Sequence, residues 1–399
     1  MTARSRGLVL CLLLIGLACA PAQAPAGTSA PAAPARAPAA AAPAGQPASA
    51  GAAQPAWQPE WDRVLAAARQ EGSVVVDGPP GDAIRRNMLD GFQKAYPGIT
   101  LEWMAGTSPE QAAKLEAERR AGVYGLDVML GGTAVLITRV KNPGFLDPVK
   151  PALILPEVTD TANWLDGQME FADYEGQHNL VFINMPSGLA AHNPNTVRTE
   201  DIDELYKLLD PRWRGQIVIS DPMVGGQGQG AFLWLWGALG PERATEYIRA
   251  LKAQAGAVDR DRRRMTEWVA RGRYAILFNP DTSVYQQQLK NEGLPLAVLP
   301  GFKDHGTYVT ASFGSLGLVN RAPHPNAAKV FINWLLGKEG QTIWSTTLGH
   351  TSRRVDVPRD HLPPEAIIHP GGKYWRAYHE GEVEPAPALV NLLTEVFGR

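Results

Sequence analysis

Two hydrophobic rhythms alternate along most of the chain. Val74-Val75-Val76 is a short continuous apolar run, the pattern of a buried strand. Ile84, Met88, Phe92 and Tyr96 then recur every four residues, the pattern of a helix with one buried stripe, which Asp82 caps. Ile99 to Met104 reads as a second strand. Ser108-Pro109-Glu110-Gln111 opens a helix with a capping box and a first-turn proline, and Gly122 is placed to end it. Leu126 to Leu130 is a third strand, and Gly131-Gly132-Thr133 leads into another helix. Such a βαβαβα series calls for a parallel sheet covered by helices.

From Met169 to Met185 the pattern turns extended, with a turn at Tyr174 to Gln177. Alternation then resumes. Thr199 caps a predicted helix bearing Ile202, Leu205, Tyr206 and Leu209, and strands are predicted at Ile217–Ser220, Tyr274–Phe278 and Leu296–Leu299. Val309 to Asn320 is extended again, and Pro325 starts a helix with Ala327, Val330, Phe331, Trp334 and Leu335 on one face. About 340 residues of this kind exceed one typical core. The expected fold is α/β with two lobes, each a mostly parallel sheet flanked by helices. Residues 57–180 and 305–399 form lobe 1 and residues 181–304 form lobe 2, so two crossings make a hinge beside a cleft.

The first 56 residues differ from the rest. Arg4 and Arg6 precede an apolar run from Leu8 to Leu17 that ends at Ala18-Cys19, the layout of an export signal over residues 1–19. The run is too short for a permanent membrane helix. Residues 20–56 are nearly all Ala, Pro, Gly, Ser and Gln, and read as a disordered tether. The two cysteines of the chain are Cys11 and Cys19, so disulfides, Cys-based zinc sites and Cys nucleophiles are excluded beyond the tether. Ala18-Cys19 matches the end of a bacterial lipobox, while Gly16 and Leu17 depart from it. Cys19 is expected to be the lipid-bearing new N-terminus, the alternative being an ordinary cleavage region. Of 38 basic residues, Arg4, Arg6 and Arg36 lie before position 57, which leaves 35 against 40 acidic ones, a net charge of −5. No clustered basic excess suggests nucleic acid. Arg262-Arg263-Arg264 reads as one exposed helical turn.

"LYKLLDPRWRGQIVISDP" (205–222), "HPNAAKVFINWLLGKEGQTIW" (324–344), "GSVVVDGPPGDAIRRNMLDGFQKAYPGITLEW" (72–103) and "TSRRVDV" (351–357) resemble segments of type II periplasmic solute-binding proteins of ABC importers. The resemblance covers nearly all of residues 60–357 and is to the ferric, polyamine, thiamine and phosphonate branch. It implies a monomeric receptor in the periplasm or on the outer face of the cytoplasmic membrane. Such a receptor closes over a small solute and delivers it to a permease, without a cofactor. Its contact with the membrane is the lipid anchor alone.

Gly226-Gln227-Gly228-Gln229-Gly230-Ala231 fits the dinucleotide fingerprint in form only. Asp221 to Gly225 separate it from the strand, the acidic partner falls inside a helix at Glu246, and the chain is exported. A glycine-rich turn before a helix instead suits an oxyanion, because unpaired N–H groups there carry partial positive charge. Residues 225–230 (Gly225, Gly226, Gln227 and Gly228 foremost) and Gly131, Gly132 and Thr133 are therefore expected to clamp an anion across the cleft; otherwise the glycines serve tight turns. Asp281 and Tyr285 either face the cleft or cap and pack a helix. Tyr308 lies at the return crossover. Arg353 and Arg354 sit where the family approaches its ligand, and Arg354 is expected to pair with a carboxylate; otherwise the two adjacent arginines are surface residues. Trp164 stacks on a ligand or fills the core. Ferric relatives use two adjacent tyrosines, which this body lacks, and its histidines are not grouped for a metal. A sensor subunit for a membrane kinase is a further reading of the same fold. An exported enzyme ranks last, in the absence of G-x-S-x-G, H-E-x-x-H or a body cysteine.

Overall fold

The computed structural model describes residues 54–224, 226–280, 292–362 and 364–398. The export signal with Cys19, the tether up to residue 53, Gly225, Asp281 and Tyr285 lie outside them. None of the described helices is long and apolar enough to cross a membrane.

The chain opens with α1 (Gln58–Glu71), β1 (Ser73–Gly78), α2 (Asp82–Ala95), β2 (Thr100–Ala105), α3 (Ser108–Arg120) and β3 (Val128–Gly131). β1 pairs in parallel with both β2 and β3, as the βαβαβ pattern requires. The four-residue repeat of α2 buries Ile84, Met88 and Phe92, while Gly81 rather than Asp82 is its N-cap. The N-cap of α3 falls one residue earlier than predicted, because the Glu110 carboxylate accepts both the Thr107 N–H at 3.0 Å and the Thr107 hydroxyl at 2.7 Å. The strands β4 (Leu146–Asp147), β5 (Glu170–Phe171), β6 (Leu180–Val181), β7 (Ile183–Pro186), β8 (Ala190–His192), β9 (Ile217–Ser220), β10 (Ala255–Asp259), β11 (Ile276–Phe278), β12 (Ala297–Leu299), β13 (Gly301–Phe302), β14 (Gly306–Thr310), β15 (Ser315–Val319), β16 (Thr351–Ser352) and β17 (Tyr374–Arg376) follow.

Three sheets result. The first has the order β2-β1-β3-β15-β6-β5 with β4 beside β15, and the second β10-β9-β11-β8-β12. Both are more mixed than alternation alone predicts. Each holds a parallel block of three strands, against which β15 in the first sheet and β8 in the second pair antiparallel. Each sheet has its own apolar core. One holds Val74, Phe92, Val128, Phe331 and Trp344, the other Leu205, Ile217, Phe232, Trp234 and Phe278.

The third sheet, β13-β14-β7-β16 with β17 on β14, carries the crossings: Val309 pairs with Pro186 and Thr310 with Met185. Its two faces look in opposite directions, as period-two alternation dictates. Tyr308 packs in the second core, whereas Val309 joins Ile137, Val181 and Tyr378 of a smaller cluster. On β17 the same alternation sends Trp375 against the second core and Arg376 to Asp166, 2.9 Å away, and Glu170, 3.8 Å away.

Two sequence expectations fail here. The helix predicted from Thr199 is two tight turns, Thr199–Asp201 and Leu205–Leu209. A side chain takes over one of its backbone donors, the Asp304 carboxylate accepting the Leu205 N–H at 3.1 Å, and the Lys207 ammonium donates to Asp203 at 2.7 Å. The segment 305–399 does not stay with the first core. The helix Pro387–Phe397 buries Leu389, Leu392, Leu393 and Phe397 in the second, with Phe397 edge-on to Phe232 at 5.4 Å.

Candidate functional site

Parallel strands direct their carboxyl ends, and the loops that follow, to one edge of each sheet, where α/β proteins bind ligands. In the first lobe this edge carries Gly131-Gly132-Thr133. All three are engaged within the lobe. A side chain on Gly131 would lie 2.5 Å from Leu136 Cδ1, so this glycine serves close packing. The Gly132 N–H donates to Ser108 Oγ at 2.8 Å. Thr133 is buried with its hydroxyl 3.4 Å from Ser315 Oγ, which donates to the Gly131 carbonyl at 2.7 Å. The helix that follows is a single turn, Thr133–Val135, running into a wider π-type turn over Leu136–Lys141.

The second-lobe edge is built differently. β9 ends at Ser220, and Asp221 begins the loop: its Oδ1 accepts the Met223 N–H at 2.9 Å. The turn Gly226–Gln229 then leads into the helix Gly230–Leu239. Asn279, at the end of β11, holds this turn. Its Nδ2 donates to the Gly228 carbonyl at 2.7 Å and its Oδ1 accepts the Ala231 N–H at 3.2 Å. Asn279 is buried and adopts φ = 59°, a left-handed conformation that asparagine tolerates better than most residues. A side chain at Gly228 would come within 2.9 Å of the Asp221 carbonyl oxygen, so the turn closes only with glycine there. Sequence reasoning passed over Asn279; its signal was an Asn-Pro pair directly after a strand.

Two further glycines of this stretch serve packing. A side chain on Gly230 would lie 3.0 Å from the Tyr308 hydroxyl, and one on Gly237 2.5 Å from Trp375 Nε1. Seven residues apart, they share a helix face that receives Tyr308 and Trp375, whose rings are 5.8 Å apart. Tyr308 thus joins the hinge sheet to the glycine-loop helix, and burial holds its hydroxyl far above the ordinary tyrosine range. We expect Gly237→Ala to destabilise the protein by about 1–3 kcal/mol through overpacking against the indole. Gly237→Ala with Trp375→Leu should regain part of that loss in thermal unfolding; equal stability of Gly237→Ala and the parent would refute the contact.

Arg354 is engaged within the protein. Its guanidinium is buried, with Nε and Nη2 donating to Asp356 at 2.9 Å and Nη1 to the Glu157 and Leu336 carbonyls at 2.6 and 3.2 Å. Arg353 is buried too, ion-paired with Glu170 and donating to Asn184 at 2.8 Å. Trp164 is a core residue whose indole donates to the Val158 carbonyl at 2.7 Å. Asp173, Glu175 and His178 approach within 4.8 Å at the β5–β6 turn. Asp173 already accepts the N–H groups of Gln177, His178 and Asn179, and Glu175 pairs with Lys141 at 2.7 Å.

Two α/β lobes, each with its own core and a loop-bearing carboxyl edge, are linked by a sheet of paired strands. The chain belongs to the bacterial extracellular solute-binding protein family, whose model matches residues 87–365. An uncharacterized protein of Haemophilus influenzae is 25% identical over 70% of this chain and 77% of its own length. Among solved structures, iron-bound HitA from Pseudomonas aeruginosa shares 19% identity at a TM-score of 0.56, covering 81% of this chain and 99% of that one. AfuA from Actinobacillus pleuropneumoniae, with fructose-6-phosphate bound, shares 19% at 0.57 over 82% and 98%. Trichodesmium IdiA (FutA), in complex with iron and citrate, shares 16% at 0.61 over 82% and 97%. At these identities the likeness is one of fold.

Proposed function

We propose that the protein is an exported receptor of an ABC importer that captures a small anionic organic solute between its lobes and is not an enzyme. One observation carries this reading. The second lobe presents a glycine turn, pinned by Asn279 to the start of a ten-residue helix. Backbone N–H groups at such a start attract oxyanions. The first-lobe residues Gly131, Gly132 and Thr133 then close the cleft by shape, their own polar groups being engaged. Gly225, Gln227, Asp281 and Tyr285 belong to the same proposed grip on the strength of their place in the chain. Cys19 carries the anchor in this reading, and intact mass of the mature chain, with or without a diacylglyceryl adduct, decides that point.

A ferric cargo is the second reading, favoured by the iron named in two of the structural neighbours. Titration calorimetry with citrate, fructose-6-phosphate, inorganic phosphate, a phosphonate, spermidine and ferric citrate separates the two. We expect heat from at least one organic anion, and an affinity at least about tenfold weaker in Gly228→Ala, the loss of a charge-assisted contact. Heat from ferric citrate alone, with none from free citrate, would replace this reading by the iron one.

A further inference from the structure

We infer that Arg260 is the cationic side chain with which the second lobe contacts its solute, through a carboxylate or phosphate group. Arg260 follows β10 and so stands at the carboxyl edge of the second sheet, beside the loop that starts at Asp221. Its Nε donates to Asp221 Oδ2 at 2.8 Å, while its side chain remains 68% exposed. Asp221 is itself fixed, nearly buried, with its other oxygen on the Met223 N–H. The guanidinium is therefore held by one edge against the base of the glycine turn. Among the described residues its two terminal amino groups have no partner, and together they form the planar fork that receives an oxyanion through two parallel hydrogen bonds.

The neighbouring charges do not compete for that fork. Asp259 accepts two bonds from Arg264 Nη2, at 2.6 and 2.7 Å, as well as the Asp261 N–H at 2.8 Å. Asp261 caps the helix Arg262–Ala270 by accepting the Arg264 N–H at 3.0 Å. Both carboxylates are thus turned to Arg264 and the helix start. Asp221 remains the one acidic partner of Arg260 among the described residues. With its arginine end 68% exposed, the pair is screened by solvent and contributes little to stability, so the arrangement orients the arginine rather than supporting the fold. This assignment rests on the anionic-solute reading and narrows it to solutes bearing at least one carboxylate or phosphate.

The test compares the full chain with Arg260→Gln and Arg260→Lys by titration calorimetry against citrate, fructose-6-phosphate and inorganic phosphate. Each protein is measured in about 50 mM and about 500 mM NaCl, a range over which exposed charge contacts are progressively screened. The expected result is an affinity for the best probe about tenfold or more weaker in Arg260→Gln. Arg260→Lys should be intermediate, the salt dependence should flatten in Arg260→Gln, and the melting temperature should be unchanged. Citrate and fructose-6-phosphate distinguish a carboxylate from a phosphate as the recognised group. A probe that binds parent and Arg260→Gln equally overturns the role of Arg260 and leaves the anionic reading standing. No heat from any of the three probes, nor from the phosphonate, with the parent chain overturns both.

Discussion

Replacing Glu170 with Gln is expected to lower the unfolding free energy by about 3–5 kcal/mol, the cost of breaking a buried ion pair from one side. Glu170 is 6% exposed and faces Arg353, which is fully buried. The other partners of Arg353 are the Asn184 side chain at 2.8 Å and the Leu165 carbonyl at 3.4 Å, both neutral. Without Glu170 the guanidinium keeps hydrogen bonds and loses its counter-charge. Burial alone would raise the Glu170 pKa. The hydrogen bond from His379 and the charges of Arg353 and Arg376 outweigh it and hold the group below the ordinary carboxylate range. A folded-state pKa below the unfolded one contributes stability that is present above the unfolded value and lost as pH falls through the folded one. The difference between parent and Glu170→Gln should therefore be largest near neutrality and shrink in acid below the ordinary carboxylate range. Adding Arg353→Met to Glu170→Gln should recover part of the loss, since no unpaired charge then remains. Urea unfolding at pH 7 checks all of this, and a loss in Glu170→Gln below about 1 kcal/mol, the worth of an exposed pair, refutes the buried-pair account.

Asp77→Asn works in the opposite direction. Asp77 is 2% exposed on β1, at the first-lobe edge, and burial raises its pKa from 3.8 to about 6, with Lys114 lowering and Glu118 raising it. Here the folded pKa exceeds the unfolded one. Stability is therefore full below about pH 4 and declines as the pH rises through about 6, where the folded protein must ionise a buried carboxyl. An uncharged amide removes that penalty. Asp77→Asn should gain roughly 2–3 kcal/mol at pH 8, from the size of the shift, and much less at pH 4.5. Melting curves at the two pH values check it, and a gain independent of pH would mean that ionisation is not the cause.

Much of the fold was legible because it rests on long-period signals. The α2 stripe, the strands around it and the extended stretches near both crossings are read from apolar spacing alone. The hinge sheet was not legible, because strands such as Gly301–Phe302 and Thr351–Ser352 are too short to show a period. Arg353 and Arg354 resembled surface residues because arginines usually are, and their partners Glu170 and Glu157 lie nearly two hundred positions away. Gly131 and Gly228 look alike in sequence, each in a glycine cluster that leads into a helix. Only the neighbours separate them: a leucine side chain beside one and a backbone carbonyl beside the other. Arg260 lies inside an acidic and basic run, "DRDRRR", where no spacing sets it apart from its neighbours.

The packing of the last described helix in the second core has a practical consequence. α1 packs its buried face in the first core, with Trp61, Val64 and Ala68, while the helix Pro387–Phe397 belongs to the second. The two terminal helices therefore ride on different lobes. A donor dye on an exposed α1 position such as Arg63 and an acceptor on Glu395 would report any change in lobe separation by energy transfer, without a label near the glycine turn. Glu395 faces Arg249 on the surface, so the acceptor displaces only an exposed ion pair.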